Sequence, residues 1–144
     1  MNKLENKIAL LTGASSGIGA VIAKSLSNQG VEIVGVARSE TGLQKTKIDT
    51  ESNGGKFHSV SFDISDLSNL SELKTKVKDL IGTIDILINN AGIEEYNYFS
   101  NYTLEYIQKI TSVNLVAPME ITRLFLPELQ ENKGHIVNIC SLAA

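Results

Sequence analysis

The 144-residue chain reads as an α/β protein, a doubly wound parallel sheet of Rossmann-like type, and three observations predict it. Apolar runs at 8–12, 31–37, 84–88 and 135–140, with a weaker one at 56–62, have the length and continuity of strands covered on both faces. Apolar residues at helical spacing separate most of them, as right-handed crossovers between parallel strands require. The first run enters T-G-A-S-S-G-I-G at 12–19, where glycines join a strand to a helix. The length suits one domain, residues 1–144, and no repeat, linker or low-complexity tract interrupts it.

After the glycine-rich turn, Ile18, Val21, Ile22 and Leu26 recur at helical spacing as far as Gly30. The second strand follows, and S-N-G-G at 52–55 turns the chain into the third. Leu70, Leu73, Val77 and Leu80 mark an amphipathic helix that Gly82 ends. The fourth strand runs into N-N-A-G at 89–92. Thr103 suits the N-cap of a short helix reaching about Ile110. A longer helix is expected next, with Leu115, Met119, Thr122 and Leu126 along one side, a bend at Pro118 and a stop at Gly134. H-I-V-N-I-C is the fifth strand and delivers Ser141 at its end.

Composition narrows the function. With 42% hydrophobic and 20% charged residues the chain is globular, and a net charge of -3 without a basic block argues against specific nucleic-acid binding. Cys140 has no partner for an internal disulfide, and one cysteine with two scattered histidines makes no metal cluster. A reducing, cytoplasmic setting and no metal are expected. The apolar run near the N-terminus is too short for a signal-peptide core or a membrane span, so no targeting segment and no membrane association are expected.

Gly13, Gly17 and Gly19 let the backbone turn sharply, let a ligand approach closely and open helix amides toward an anion. Ser15 and Ser16 add hydroxyl donors. The spacing is not G-x-G-x-x-G and no Walker lysine follows, which argues against a nucleoside-triphosphate hydrolase. By themselves the glycines fit either a dinucleotide site or an ordinary tight turn. Other candidates have equally plain alternatives: Asp63 can cap the turn after the third strand, and Ser141 can simply end the fifth. Asn114 is a poor residue for a helix interior, and one use for its side chain is to satisfy backbone freed by Pro118.

The motifs T-G-A-S-S-G-I-G at 12–19, N-N-A-G at 89–92, Asn114 in S-V-N-L, and G-H-I-V-N-I-C-S ending at Ser141 together resemble the short-chain dehydrogenase/reductase family of nicotinamide-dependent oxidoreductases. The resemblance runs the whole chain and corresponds to the N-terminal portion of a typical member. It implies a strand order of 3-2-1-4-5, with the ligand crevice where the order reverses, between strands one and four. It also implies cofactor contacts from Gly13, Ser15, Ser16, Gly17, Ile18 and Gly19, an adenine slot at Asp63 and Ile64, and a ribose against Asn90, Ala91 and Gly92. Asn114 would disturb its helix and hold a water in a proton relay. Ser141 would bind and polarise the substrate carbonyl or alcohol.

Family members that use NAD often end the second strand with an acidic residue; here stand Ala37 and Arg38. A guanidinium makes paired, charge-assisted bonds to a 2′-phosphate, and Ser39 can add a hydroxyl, so NADP is expected ahead of NAD. The family's Y-x-x-x-K is missing: none of Tyr96, Tyr98, Tyr102 and Tyr106 is followed by lysine four residues later. The lysine matters because an unperturbed phenol has a pKa of about 10 and needs a nearby ammonium to act near neutrality. The expectation is an incomplete portion of an oxidoreductase, truncated after strand five and inactive alone. The complete protein would act on a small carbonyl or alcohol substrate as a homo-oligomer formed through the long helix. The other reading is a catalytically inactive dinucleotide-binding or regulatory protein. A methyltransferase would leave N-N-A-G and Ser141 without a role.

Overall fold

The computed structural model describes residues 4–141. Five parallel strands, β1 (Ile8–Thr12), β2 (Glu32–Ala37), β3 (Phe57–Ser61), β4 (Ile86–Asn89) and β5 (His135–Asn138), lie in the order β3-β2-β1-β4-β5. This is the expected doubly wound sheet. The connections carry helices α1 (Gly17–Ser27), α2 (Glu40–Glu51), α3 (Leu70–Ile81), α4 (Leu104–Thr111) and α5 (Ala117–Glu131).

The period-two alternation of a strand divides the core into two layers. Leu10, Val34, Val36 and Leu87 point to one face and pack with residues of α3 and α5 such as Leu73, Ile121 and Phe125. Ala9, Leu11, Ile33, Ile86 and Ile88 point to the other, against Ala23 of α1 and Leu43 of α2. The order reverses between β1 and β4, so their connections depart to opposite faces and leave a crevice at the strands' carboxyl ends.

Helix α2 is an element the apolar pattern does not announce. Its buried positions are Leu43, Thr46 and Thr50, so two threonines stand where a periodic signal needs aliphatics. Ser39 nevertheless caps it in the usual way, its Oγ accepting from the Gly42 amide at 3.1 Å. The long helix also differs from expectation. A π-helical segment, Ser112–Val116, joins α4 directly to α5, so the irregularity falls one turn before Pro118. Its buried stripe is Ala117, Ile121, Phe125 and Leu129. Leu115 and Met119 of the expected stripe are 55% and 63% exposed. Both sets recur at helical spacing, and only the position of the sheet selects which one is covered.

At its end the helix closes with the Gly134 amide on the Leu129 carbonyl at 2.7 Å. A Cβ at Gly134 would meet the Asp85 carbonyl oxygen at 2.2 Å, so only glycine passes there into β5. β5 is shorter than the apolar run 135–140 and lies exposed at the sheet edge.

Candidate functional site

The crevice at the switch point has a volume of about 690 Å³ and brings together residues from five segments. Of the twelve expected cofactor residues, eleven line it: Gly13, Ser15, Ser16, Ile18, Gly19, Arg38, Asp63, Ile64, Asn90, Ala91 and Gly92. Gly17 does not, and its φ of 53° gives it a conformational role in the turn. Val36, Phe62, Ile93 and Val113 also line the crevice and carry no motif by which they could be recognised.

Ser16 stands at the N-cap of α1 with extended backbone and makes no side-chain cap bond. α2 and α4 are capped by Ser39 and Thr103, whereas α3, like α1, has no side-chain cap but does not open onto this crevice. The first amides of α1 therefore lack a capping side chain at a crevice edge, the arrangement that receives an anion. The turn is tight enough to exclude side chains. A Cβ on Gly19 would lie 2.1 Å from the Gly13 carbonyl oxygen, and one on Gly13 would lie 2.9 Å from the Ala91 Cα.

Thr12, 2% exposed, joins the two halves of the site. Its Oγ1 accepts from the amides of Asn90 at 3.1 Å and Ala91 at 3.0 Å and donates to the Ile88 carbonyl at 3.4 Å. The Asn90 side chain returns the contact, Nδ2 donating to the carbonyls of Thr12 at 3.1 Å and Gly13 at 3.3 Å. Asn90 thus braces the glycine turn with its side chain, and what it can offer a ligand is its backbone.

Asp63 serves the turn that sequence reading allowed: Oδ1 accepts from the Ser65 amide at 2.9 Å and the Ser65 hydroxyl at 2.8 Å. The Arg38 guanidinium enters no ion pair among the described residues, although the chain holds more acids than bases. Ser39 Oγ accepts from the Gly42 amide at 3.1 Å and shares a hydrogen bond with Thr41 Oγ1 at 3.2 Å, so its proton is open to a ligand only when Thr41 is the donor.

Asn114 lies in the middle of the π segment. Its Oδ1 accepts from the Ile93 amide at 2.9 Å, and its Nδ2 donates to the Ile93 carbonyl at 2.9 Å. The side chain is committed to the loop after β4, which corrects the idea that it satisfies backbone freed by Pro118. Pro118 has no N–H to offer the Asn114 carbonyl four residues back. Neither Asn114 nor Ser141 lines the 690 Å³ crevice; Ser141 stands exposed beyond β5.

Burial, then Tyr102, Glu95 and Glu94, hold the Tyr106 phenol above the usual value, away from neutrality. Among the described residues no group of three His, Cys, Asp or Glu could hold a metal, and no helix is long and apolar enough to cross a membrane.

The profile of the short chain dehydrogenase family matches residues 7–144. HetN, a ketoacyl reductase of Nostoc sp., is 47% identical over 144 residues, covering 99% of this chain and 50% of its own length. YxbG, an uncharacterized oxidoreductase of Bacillus subtilis, is 33% identical, covering 99% of this chain and 53% of its own length. A metagenomic short-chain oxidoreductase in complex with NADP superimposes with a TM-score of 0.91 at 33% identity, over 98% of this chain and 65% of its own. An alcohol dehydrogenase of the archaeon Thermococcus sibiricus, complexed with 5-hydroxy-NADP, gives 0.86 at 28% identity, over 93% of this chain and 57% of its own. The chain spans about half the length of these two curated relatives.

Proposed function

This chain belongs to the short chain dehydrogenase family and has its NAD(P)-binding oxidoreductase fold, and we propose that it is the cofactor-binding portion of an NADP-dependent oxidoreductase acting on a carbonyl or secondary alcohol. The observation that carries the proposal is the uncapped N-terminus of α1, opening over glycines that admit no Cβ, into a crevice that Arg38 also lines. A dinucleotide fits these groups. Its pyrophosphate meets the α1 amides and the hydroxyls of Ser15 and Ser16, and its 2′-phosphate meets Arg38 and Ser39. Asp63 and Ile64 flank the adenine, and the backbone of Asn90, Ala91 and Gly92 takes the ribose.

When bound, the nicotinamide supplies or accepts the hydride. The residues of this chain do the rest. The Asn114 carbonyl holds a water for proton transfer, and the Ser141 hydroxyl binds and polarises the substrate oxygen. These 144 residues include no tyrosine followed four residues later by lysine, so turnover needs an acid supplied from outside them. General acid catalysis is worth about 10²- to 10⁴-fold, and the 144-residue polypeptide by itself should bind cofactor without useful hydride transfer.

The similarity to a ketoacyl reductase supports a keto group on an acyl chain as the substrate class of the whole protein. The exposed Leu115, Met119 and Leu126 on the long helix support a homo-oligomer formed through that face. A reducing cytoplasm would keep the exposed Cys140 as a thiol.

Calorimetric titration of the chain with NADPH, NADH and 2′,5′-ADP tests the cofactor reading. Tighter binding of NADPH than NADH, with 2′,5′-ADP competing, is expected. Failure of all three to bind would overturn it.

A further inference from the structure

We propose that Gly42, which does not itself line the crevice, is a specificity-determining positioning residue: it sets the gap between the glycine turn and the loop bearing Arg38, and so favours a dinucleotide that carries a 2′-phosphate over one that does not. The proposal rests on the NADP reading for the identity of the ligand and on the packing of α2 for the role of the glycine.

Gly42 is the third residue of α2. Glycine is the least favourable helix residue short of proline, and the φ of Gly42 is not positive, so the backbone conformation does not call for it. What calls for glycine is space. A Cβ at position 42 would stand 2.8 Å from the Ser15 Cβ, 2.8 Å from the Ser15 carbonyl oxygen and 3.1 Å from Ser39 Oγ. The first two distances fall about 0.6 Å short of the 3.4 Å at which ordinary contact begins, and one of the two atoms is backbone. A bare backbone at Gly42 is what lets the first turn of α2 lie directly on Ser15.

The two residues that Gly42 touches stand on opposite banks of the crevice. Ser15 belongs to the glycine turn, beside the α1 amides, while Ser39 caps α2 and lines the other bank with Arg38. In NADP the 2′-phosphate and the 5′-pyrophosphate leave the same ribose, so covalent bonds fix their spacing. The two banks have to match it, and productive site geometry holds only within about 0.5 Å. The glycine turn is the firmer bank. The amides of Gly13 and Ala14 both donate to the Val36 carbonyl, at 2.8 and 3.2 Å, and Asn90 Nδ2 holds the Gly13 carbonyl at 3.3 Å. On the other bank residues 38–41 are exposed, and the Arg38 carbonyl accepts a long bond from the Ser61 hydroxyl at 3.4 Å. The Arg38 guanidinium enters no ion pair among the described residues, so its reach toward a phosphate follows its backbone. A side chain at position 42 therefore displaces Arg38 and Ser39 and leaves the pyrophosphate bank in place. It also crowds Ser39 Oγ, whose direction is set by the Gly42 amide at 3.1 Å and Thr41 Oγ1 at 3.2 Å. NADH, with a hydroxyl in place of the 2′-phosphate, depends less on that bank and loses less.

Calorimetric titration of the 144-residue chain and its Gly42→Ala variant with NADPH and NADH tests the spacer, with thermal melts to verify folding. The ratio of NADPH to NADH affinity should fall about fivefold or more in Gly42→Ala, as weakening of one charge-assisted hydrogen bond implies. NADH affinity should stay within about twofold of wild type. Because the glycine acts through Arg38, adding Gly42→Ala to Arg38→Ala should change NADPH affinity by less than about twofold, the precision to which independent effects add. A merely structural role weakens both cofactors alike and does so with or without Arg38. Should Gly42→Ala not fold, Ser15→Gly/Gly42→Ala compared with Ser15→Gly repeats the contrast with only the carbonyl contact remaining, and a lowered ratio is again expected. An unchanged ratio, equal losses of both cofactors, or an undiminished further loss in the Arg38→Ala background would overturn the spacer. Wild type that binds NADPH no more tightly than NADH would overturn the cofactor reading and the spacer with it, whereas a selective wild type beside an equally selective Gly42→Ala would sink the spacer alone.

Discussion

Gly19→Ala puts the close-packing argument at the glycine turn to a quantitative test. The new methyl carbon would stand 2.1 Å from the Gly13 carbonyl oxygen and 2.7 Å from Asn90 Nδ2, whereas real Cβ contacts essentially never fall below 3.0 Å. About 0.9 Å must be found between α1 and the strand end. Neither neighbour yields easily, because the Gly13 amide is held by the Val36 carbonyl at 2.8 Å and Asn90 Nδ2 by the Thr12 and Gly13 carbonyls. Overpacking of this kind costs about 1–3 kcal/mol. Alanine's better helix propensity offsets about 1 kcal/mol of it. With rigid backbone on the other side of the contact the upper part of the range applies, so a net loss of about 1–2 kcal/mol is expected. At about 2.1 cal/mol/K per residue, that lowers the melting temperature of this chain by about 3–7 °C. The same displacement should weaken NADPH at least about tenfold, because a misplacement near 1 Å loses the amide geometry. Thermal melts and NADPH titration measure both. Gly17→Asn is the control: a Cβ at Gly17 meets nothing within 4 Å, and asparagine tolerates its positive φ. If Gly19→Ala melts at or above the wild-type temperature and binds NADPH equally well, the close-approach reasoning is wrong.

Thr12→Val conserves volume but leaves the amides of Asn90 and Ala91 without their shared acceptor, and should cost about 2–4 kcal/mol in denaturant unfolding. Arg38→Ala should weaken NADPH about 10- to 100-fold in a titration while leaving NADH nearly unchanged, since only the former loses a charged phosphate partner; equal losses would assign Arg38 a folding role. Phe125→Ala, in the layer beneath α5, should lower stability by about 3–5 kcal/mol in the same unfolding assay. The raised Tyr106 phenol favours the neutral form in the folded state, so its contribution is complete below the unfolded value near 10 and is lost as pH climbs through the raised one. Tyr106→Phe should accordingly flatten the alkaline limb of a stability-against-pH curve and leave the acid limb unchanged.

Fold class was legible in the sequence because its signals are local, whereas the location of the crevice came with the strand order that the family resemblance implies. An apolar run followed by spaced glycines dictates strand, turn and helix within a dozen residues, and repeating the unit leaves few topologies. The positions of Arg38 at the end of β2 and of Asp63 after β3 follow from the same local logic. Other features depend on residues far apart in the chain. Thr12 reads as one more strand residue until its hydroxyl is seen to hold amides 78 and 79 positions away. α2 hides because Thr46 and Thr50 occupy its covered face, and the sheet buries them whatever their polarity. Leu115 and Met119 carry as good a helical period as Ile121 and Phe125, and contact with β4 decides between the two stripes. Asn114 announces an irregular helix, but its grip on Ile93 needs the loop after β4 brought alongside. The sequence alone therefore determined which local elements form and which residues crowd the strand ends. The tertiary structure decided which polar side chains face the crevice and which bind one another, because a buried donor takes the acceptor that folding places within about 3 Å of it, however distant that acceptor is in the chain.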